Sequence, residues 1–233
     1  MKKQVYGTFY IVGVGPGDPR LMTYLSVETI RACPVIAVAR SGSDQRGVAY
    51  QIAQGMIEHL EAKACIEFHV PMSKDQKVLA EAYQCAAADI MQALCAGKDV
   101  ACLTLGDPTI YSSSIYLYRI VKAHGFRAEI ISGVPSFCAA AAKLGDSLVD
   151  RAEELHVIPA SYEGSLEKAV KLPGTKVFMK AGAQIRSVKE QLQTKNAQCE
   201  MVENCGMQNE KIYQCLEDIP EKASYYSIIV TKG

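Results

Sequence analysis

The amino-acid sequence predicts an α/β protein made of two α/β domains. The N-terminal domain is expected to carry a mostly parallel sheet with flanking helices. The C-terminal domain is expected to carry a mixed sheet ending in an antiparallel meander. Three observations point there. Short apolar runs alternate with longer amphipathic stretches, the pattern of strands and covering helices. Glycine-rich turns join several of those runs to the stretch that follows. The 233 residues are 49% apolar and 21% charged, a globular composition with material for one large core or two small ones.

The first strand is read at Thr8 to Val12, followed by the turn Gly13-Val14-Gly15-Pro16-Gly17. Asp18 then reads as an N-cap and Pro19 as the first residue of a helix reaching about Cys33. A strand over Pro34 to Val38 leads to a polar loop, Arg40 to Gly47, and a helix from Val48 to Leu60. A strand over Cys65 to Val70 precedes a long Ala-rich helix, Asp75 to Ala96. Asp99 to Leu105 is a buried strand, and Gly106-Asp107-Pro108 opens a helix from about Ser112 to His124. Arg127 to Ile131 is a strand, with the turn Ser132-Gly133-Val134-Pro135-Ser136 and a helix from Phe137 to Leu144 behind it.

Gly145 to Glu154 is polar and interrupts the alternation. The expected domains are therefore residues 1–146 and 155–233, with a linker at about 147–154. The second half reads as strands at Leu155 to Pro159 and Lys176 to Met179, with helices near Glu163 to Val170 and Gln184 to Gln193. Cys199 to Glu203, Lys211 to Leu216 and Tyr225 to Val230 are the strands of the closing meander.

Charge and cysteine usage exclude several classes. Lys plus Arg and Asp plus Glu are each 25, so the formal net charge is zero. That argues against a duplex nucleic-acid binder and a polybasic membrane binder. No run approaches the roughly 18 apolar residues of a membrane helix, and Met1-Lys2-Lys3-Gln4 runs into a strand rather than a signal peptide. The nine cysteines show neither Cys-x-x-Cys nor zinc-ligand spacing to His. A reduced, cytoplasmic protein without a structural metal is expected. His59, His69, His124 and His156 read as surface or hydrogen-bonded residues, so no Ser-His-Asp or Cys-His arrangement is expected.

Gly13-x-Gly15 begins a dinucleotide fingerprint, but Asp18 stands where the third glycine belongs and would repel a diphosphate. A nucleotide-binding oxidoreductase is thereby disfavoured, and no P-loop motif is present. Three glycine turns at strand carboxyl ends should instead share one edge of a parallel sheet, where open α/β folds bind ligands.

These turns carry a family resemblance. Gly13-Val14-Gly15-Pro16-Gly17-Asp18 resembles the opening motif of the tetrapyrrole methylases, the class III S-adenosylmethionine methyltransferases. Gly106-Asp107-Pro108-x-x-Tyr111 resembles their second motif, Gly133-Val134-Pro135-Ser136 the third, and Val202-Glu203-Asn204-Cys205 a fourth in which Gly is commoner than Cys205. The stretches Thr104 to Ser112 and Ser136 to Gly145 are most similar to enzymes methylating carbon 20 of precorrin-2 or cobalt-factor II in cobalamin synthesis. Another tetrapyrrole methylase, acting on uroporphyrinogen III or a different precorrin position, is the alternative within the family.

The resemblance implies two α/β domains with an active-site cleft between them, and a homodimer. It implies bound S-adenosylmethionine, released as S-adenosylhomocysteine, and a tetrapyrrole substrate. The cofactor positions it implies are Pro16, Leu105, Gly106, Asp107, Ile110, Ser136, Phe137, Met179 and Cys205. Asp107 also reads as an N-cap, and Met179 and Phe137 also read as core. Tyr111 reads equally as a hydroxyl in the cleft, a candidate catalytic group, or as core packing. The carboxylate rim of such a substrate calls for local cations. Arg40 and Arg46 in the loop after the second strand, and Lys180 after Met179, are the candidates, with solvated surface charge as the other reading.

Overall fold

The structure is a computed structural model, and it describes residues 5–41, 45–71, 73, 75–160, 165–182, 184–193 and 198–232. The chain divides into two compact units, Met1–Pro135 and Ser136–Gly233. The first unit contains β1 (Phe9–Gly13), α1 (Tyr24–Ala32), β2 (Val35–Ser41), β3 (Gln45–Arg46) and α2 (Val48–Gln54). It continues with β4 (Ala64–Phe68), α3 (Gln76–Cys95), β5 (Val100–Thr104), α4 (Ser114–Ala123) and β6 (Ala128–Ile131). The sheet runs β4-β2-β5-β1-β6, every one of these neighbours parallel. β3 folds back antiparallel on the last two residues of β2.

Alternation along the strands feeds two cores, because successive side chains leave a strand on opposite faces. Val12, Ile36, Val38, Ala101 and Leu103 pack with Ile30 of α1 and Tyr50 and Ile52 of α2. Phe9, Ile11, Val35, Ala37, Val100 and Cys102 pack with Ile90 and Leu94 of α3 and Leu117 and Val121 of α4. Covered on both sides, β5 is buried along its whole length, which is why Val100-Ala101-Cys102-Leu103 reads as an unbroken apolar run.

The second unit contains α5 (Ser136–Leu144), β7 (Leu155–Pro159), α6 (Ser165–Ala169), β8 (Thr175–Met179) and α7 (Ile185–Gln193). It ends with β9 (Cys199–Glu203), β10 (Lys211–Tyr213) and β11 (Ser227–Thr231). Its sheet is mixed, in the order β10-β9-β11-β8-β7, with only β7 and β8 parallel. Phe178, Met201 and Ile229 pack with Leu166 of α6 and Ile185, Val188 and Leu192 of α7.

Four details differ from the sequence reading. The helix expected from Pro19 to Cys33 is broken. Asp18 caps only a 3-10 turn at Pro19–Leu21, and the chain is extended at Met22 and Thr23. Thr23 then caps α1, its Oγ1 accepting from the Ser26 amide at 3.2 Å, so two competing caps divide the stretch. The loop expected from Arg40 to Gly47 is partly a hairpin, in which Arg40 faces Arg46; residues 42–44 lie outside the described ones. The closing strands pair antiparallel but not as a consecutive meander, because β11 inserts between β9 and β8. Finally, the units divide at Pro135 rather than at 147–154. The Ala-rich helix α5 lies against β9 and β11, so it groups with the second unit.

Among the described residues no helix is long and apolar enough to cross a membrane. Phe178, next to the last residue of β8, is fully buried. Phe178→Ala is expected to cost about 3–5 kcal/mol of stability, read as a lowered urea midpoint of the second unit.

Candidate functional site

The strand order brings the three glycine turns to one sheet edge, since β1 lies between β5 and β6. After β1 the chain passes to α1 on one face. After β5 it passes to α4 on the other. Neighbouring strand ends that send their chains to opposite faces leave a crevice between them.

Backbone contact closes the floor of that crevice. Val14 N–H donates to the Thr104 carbonyl at 2.9 Å. Gly15 and Gly106 then exchange both amide bonds, at 3.3 and 2.8 Å, beyond the ends of the strands. Gly15 and Gly106 have φ of 77° and 70°, a region that favours glycine. Gly133 is required by space instead: a Cβ there would lie 2.1 Å from the Gly106 carbonyl oxygen. At Gly13 a Cβ would lie 2.6 Å from the Gly133 nitrogen.

Side chains pin this backbone. The buried Asp107 accepts from the Thr109 amide at 2.7 Å and hydroxyl at 2.5 Å through Oδ1. Its Oδ2 accepts from the Gly133 amide at 2.9 Å. Ser26, fully buried on α1, donates its hydroxyl to the Gly13 carbonyl at 2.8 Å, and Thr23 donates to the Ser132 carbonyl at 3.1 Å. Asp107 thus caps its own turn and also reaches the third motif. Ser26 and Thr23 were not singled out in the sequence. Their signal was a Thr-x-x-Ser pair one turn past the first glycine motif.

Pro16, Leu105, Gly106 and Asp107 therefore belong to one constellation, with Ile110 half-buried on the same turn. Tyr111 is 43% exposed and left-handed at φ 48°, which rules out the core reading. In the second unit, β8 and β9 run in the same direction on either side of β11. Their register sets Met179 level with Val202 across Ile228. Met179, Lys180 and Cys205 consequently lie at one edge of that sheet. Met179 is buried, as is Phe137 in the first turn of α5, while Ser136 is half-buried. Lys180 is left-handed at φ 58° and places its ammonium 5.9 Å from the Tyr225 ring centre.

Glu203 is a further residue the sequence reading quoted without a role. Buried at the end of β9, it accepts from the Tyr213 hydroxyl at 3.1 Å and the Ser224 amide at 2.6 Å, tying down the segments around Asn204 and Cys205. Burial pushes the Cys205 thiol up to about 11. Among the described residues no group of three or more His, Cys, Asp or Glu is placed to hold a metal ion.

Arg40 and Arg46 converge on Glu67 of β4. Arg46 Nε lies 2.9 Å from Oε1 and Arg40 Nε 3.4 Å from Oε2. Arg46 also donates to the Tyr50 hydroxyl at 2.6 Å and sits 4.6 Å from its ring centre. The two guanidiniums share this carboxylate at the end of β2. β2 pairs with β5 only as far as Ala37 opposite Cys102, whereas β1 follows β5 to Thr104. The carboxyl ends of β2 and β5 part there, between the arginines and the second glycine turn.

Comparison with known proteins agrees with this geometry. The model of the tetrapyrrole (corrin/porphyrin) methylases matches residues 8–219. The chain belongs to the tetrapyrrole methylase family. This methylase is 33% identical over 178 residues to the probable cobalt-precorrin-2 C(20)-methyltransferase of Methanocaldococcus jannaschii, covering 76% of this chain and 72% of that one. It is 27% identical over 232 residues to the precorrin-2 C(20)-methyltransferase of a Sinorhizobium species, covering 95% and 94%. Among solved structures, a cobalt precorrin-4 methyltransferase superposes with a TM-score of 0.76 at 18% identity, covering 100% of this chain and 97% of that one. The uroporphyrin-III C-methyltransferase of Thermus thermophilus complexed with S-adenosylhomocysteine superposes at 0.68 with 20% identity, covering 97% of each chain.

Two outcomes check the geometry. Gly133→Ala forces a Cβ against the Gly106 carbonyl, so about 1–3 kcal/mol of stability should be lost, a fall of roughly 2–10 °C in melting temperature. Burial pushes Cys33, Cys102 and Cys199 up to about 12 as well, so their thiolates, like that of Cys205, are scarce at pH 8. At that pH a thiol titrating near 11 is only about one-thousandth thiolate, and burial also hides it from the reagent. Iodoacetamide should therefore label the exposed Cys85 and Cys95 of the folded methylase well before Cys205, read by peptide mass spectrometry.

Proposed function

We propose that this methylase transfers one methyl group from S-adenosylmethionine to carbon 20 of precorrin-2 or cobalt-factor II in cobalamin biosynthesis. The observation that carries the reading is the convergence of the glycine turns into one pinned crevice in a chain of this family. The relatives named for the C(20) position support the choice of carbon.

The residues present fit the cofactor. The crevice is built from main chain, whose amides and carbonyls suit the hydroxyl and amino groups of the cofactor. Asp18, standing where a dinucleotide fingerprint has its third glycine, disfavours the nucleotide-binding oxidoreductase. Pro16, Leu105, Gly106, Asp107 and Ile110 of the first unit would hold the cofactor, chiefly through backbone groups and the apolar faces of Leu105 and Ile110. Ser136, Phe137, Met179 and Cys205 are the positions proposed for the second unit, with Met179 offering a thioether face to adenine.

When bound, S-adenosylmethionine supplies an electrophilic methyl on a cationic sulfur and leaves as a neutral thioether. The chain therefore has no leaving-group charge to stabilise. Its own work is alignment, exclusion of water and passage to solvent of the proton that carbon 20 gives up once the methyl has arrived. Arg40 and Arg46 would hold peripheral carboxylates of the tetrapyrrole, with Lys180 as a further cation from the second unit. Tyr111, exposed on the second motif, is the one candidate for contact near the reacting carbon. The homodimeric, cytoplasmic state implied by the resemblance belongs to the same reading.

Anaerobic incubation with a labelled methyl donor, followed by mass spectrometry and carbon NMR, is expected to place one label at carbon 20. Label at carbon 2 or 7 of uroporphyrinogen III would replace this reading with the other methylase activity. The double variant Arg40→Ala with Arg46→Ala is expected to raise KM for the tetrapyrrole about tenfold or more while leaving cofactor affinity unchanged. The gap between variant and wild type should shrink at high salt, because screening weakens exposed charge contacts.

A further inference from the structure

One peptide plane in the crevice is held at both of its polar ends by side chains. The Ser132 carbonyl and the Gly133 amide belong to a single peptide unit. Thr23 of the first motif's cap donates to that carbonyl at 3.1 Å. Asp107 of the second motif accepts from that amide at 2.9 Å. Ser26 fixes the Gly13 carbonyl, directly beneath, at 2.8 Å. The plane cannot rotate without breaking one of these bonds. It cannot move inward either, since Gly133 already lies against the Gly106 carbonyl and the Gly13 Cα.

We infer that Thr23, Ser26 and Asp107 form a clamp that sets the spacing of the three glycine turns, and that Asp107 serves the cofactor as a positioning residue rather than as a ligand. The inference rests on the cofactor reading above. Three hydrogen bonds already engage both Asp107 oxygens, on one amide and one hydroxyl of its own turn and one amide of the third. A side chain so engaged is turned into the protein. Its influence on a ligand passes through the backbone it holds. The clamp links all three motifs through side chains outside the glycines. Hydroxyls from the cap of α1 grip the first and third turns, and a carboxylate from the second turn grips the third.

The two roles predict different ligand dependence. Asp107→Asn keeps the shape but turns an amide donor toward the Gly133 amide, so the clamp opens at that end. Loss of a positioning residue weakens every ligand of the crevice alike. Loss of a ligand weakens only molecules carrying the group it touched, which is the logic of a double-mutant cycle.

The test is calorimetric titration of wild type, Asp107→Asn and Ser26→Ala with S-adenosylhomocysteine, with an analogue lacking both ribose hydroxyls, and with one lacking the amino group. Asp107→Asn is expected to weaken all three about tenfold, by the same factor within error, and Ser26→Ala about threefold to tenfold. At saturating methyl donor, KM for the tetrapyrrole should not move. If the Asp107→Asn effect vanishes for either analogue, Asp107 is a ligand and the inference is overturned. Unchanged affinity of both variants, with the wild type binding, overturns the clamp alone. A wild type that binds no S-adenosylhomocysteine overturns the cofactor reading itself. Should Asp107→Asn fail to fold, Ser26→Ala and Thr23→Ala carry the test, since each opens the clamp at its other end and both must weaken all three ligands alike.

Discussion

The architecture of the first unit depends on how closely three backbone segments approach one another without side chains between them. Gly13, Gly106 and Gly133 meet at distances that a single methyl group would disrupt. The contact is made by amides, carbonyls and two kinds of polar side chain, so its strength depends on each group finding its partner in a partly buried place. The two hydrophobic cores on either face of the sheet set the strand order. The strand order then delivers the turns to one edge, and only at the last step do Asp107, Ser26 and Thr23 bring them into register.

Electrostatics separates the two ends of that edge. A buried carboxylate follows β5 and reaches the turn after β6, and an arginine pair sharing one glutamate lies at the end of β2. The two lie on either side of the place where β2 and β5 part. The net charge of zero for the whole chain therefore says little about its ligand, because opposite local fields cancel in the sum.

Much of this was legible in the sequence, and what escaped has physical causes. The strands of the parallel sheet stand out because burial on both faces demands unbroken apolar runs, as in β5. The glycine turns stand out because few residues tolerate such close approach. The break between Pro19 and Tyr24 did not stand out. Asp18 and Thr23 are both good caps, and which of them opens the helix depends on whether Thr23 can reach the third turn. Arg40 and Arg46 read as a polar loop because the glutamate that pairs them comes from β4, some twenty residues further on. The role of Asp107 was half visible. Its cap on Thr109 is local, whereas its bond to Gly133 spans 26 residues. α5 groups with the second unit by its contacts, which the sequence shows less plainly than the polar break after it.

The position of β11 bears on how the chain reaches this structure. It follows every other described strand along the chain, yet it lies between β9 and β8 in the middle of its sheet. The first unit has all its strands by residue 131 and is able to fold while the ribosome is still at work. The second has to wait. Until residues 227–231 emerge, β8 and β9 each present an unpaired edge to solvent, with Val177, Phe178, Met201 and Val202 beside those edges. Exposed edges of that kind recruit other strands. The interval before β11 arrives is thus the time at which this chain most needs a chaperone, and a nascent chain stalled just short of that strand would be a seed for aggregation.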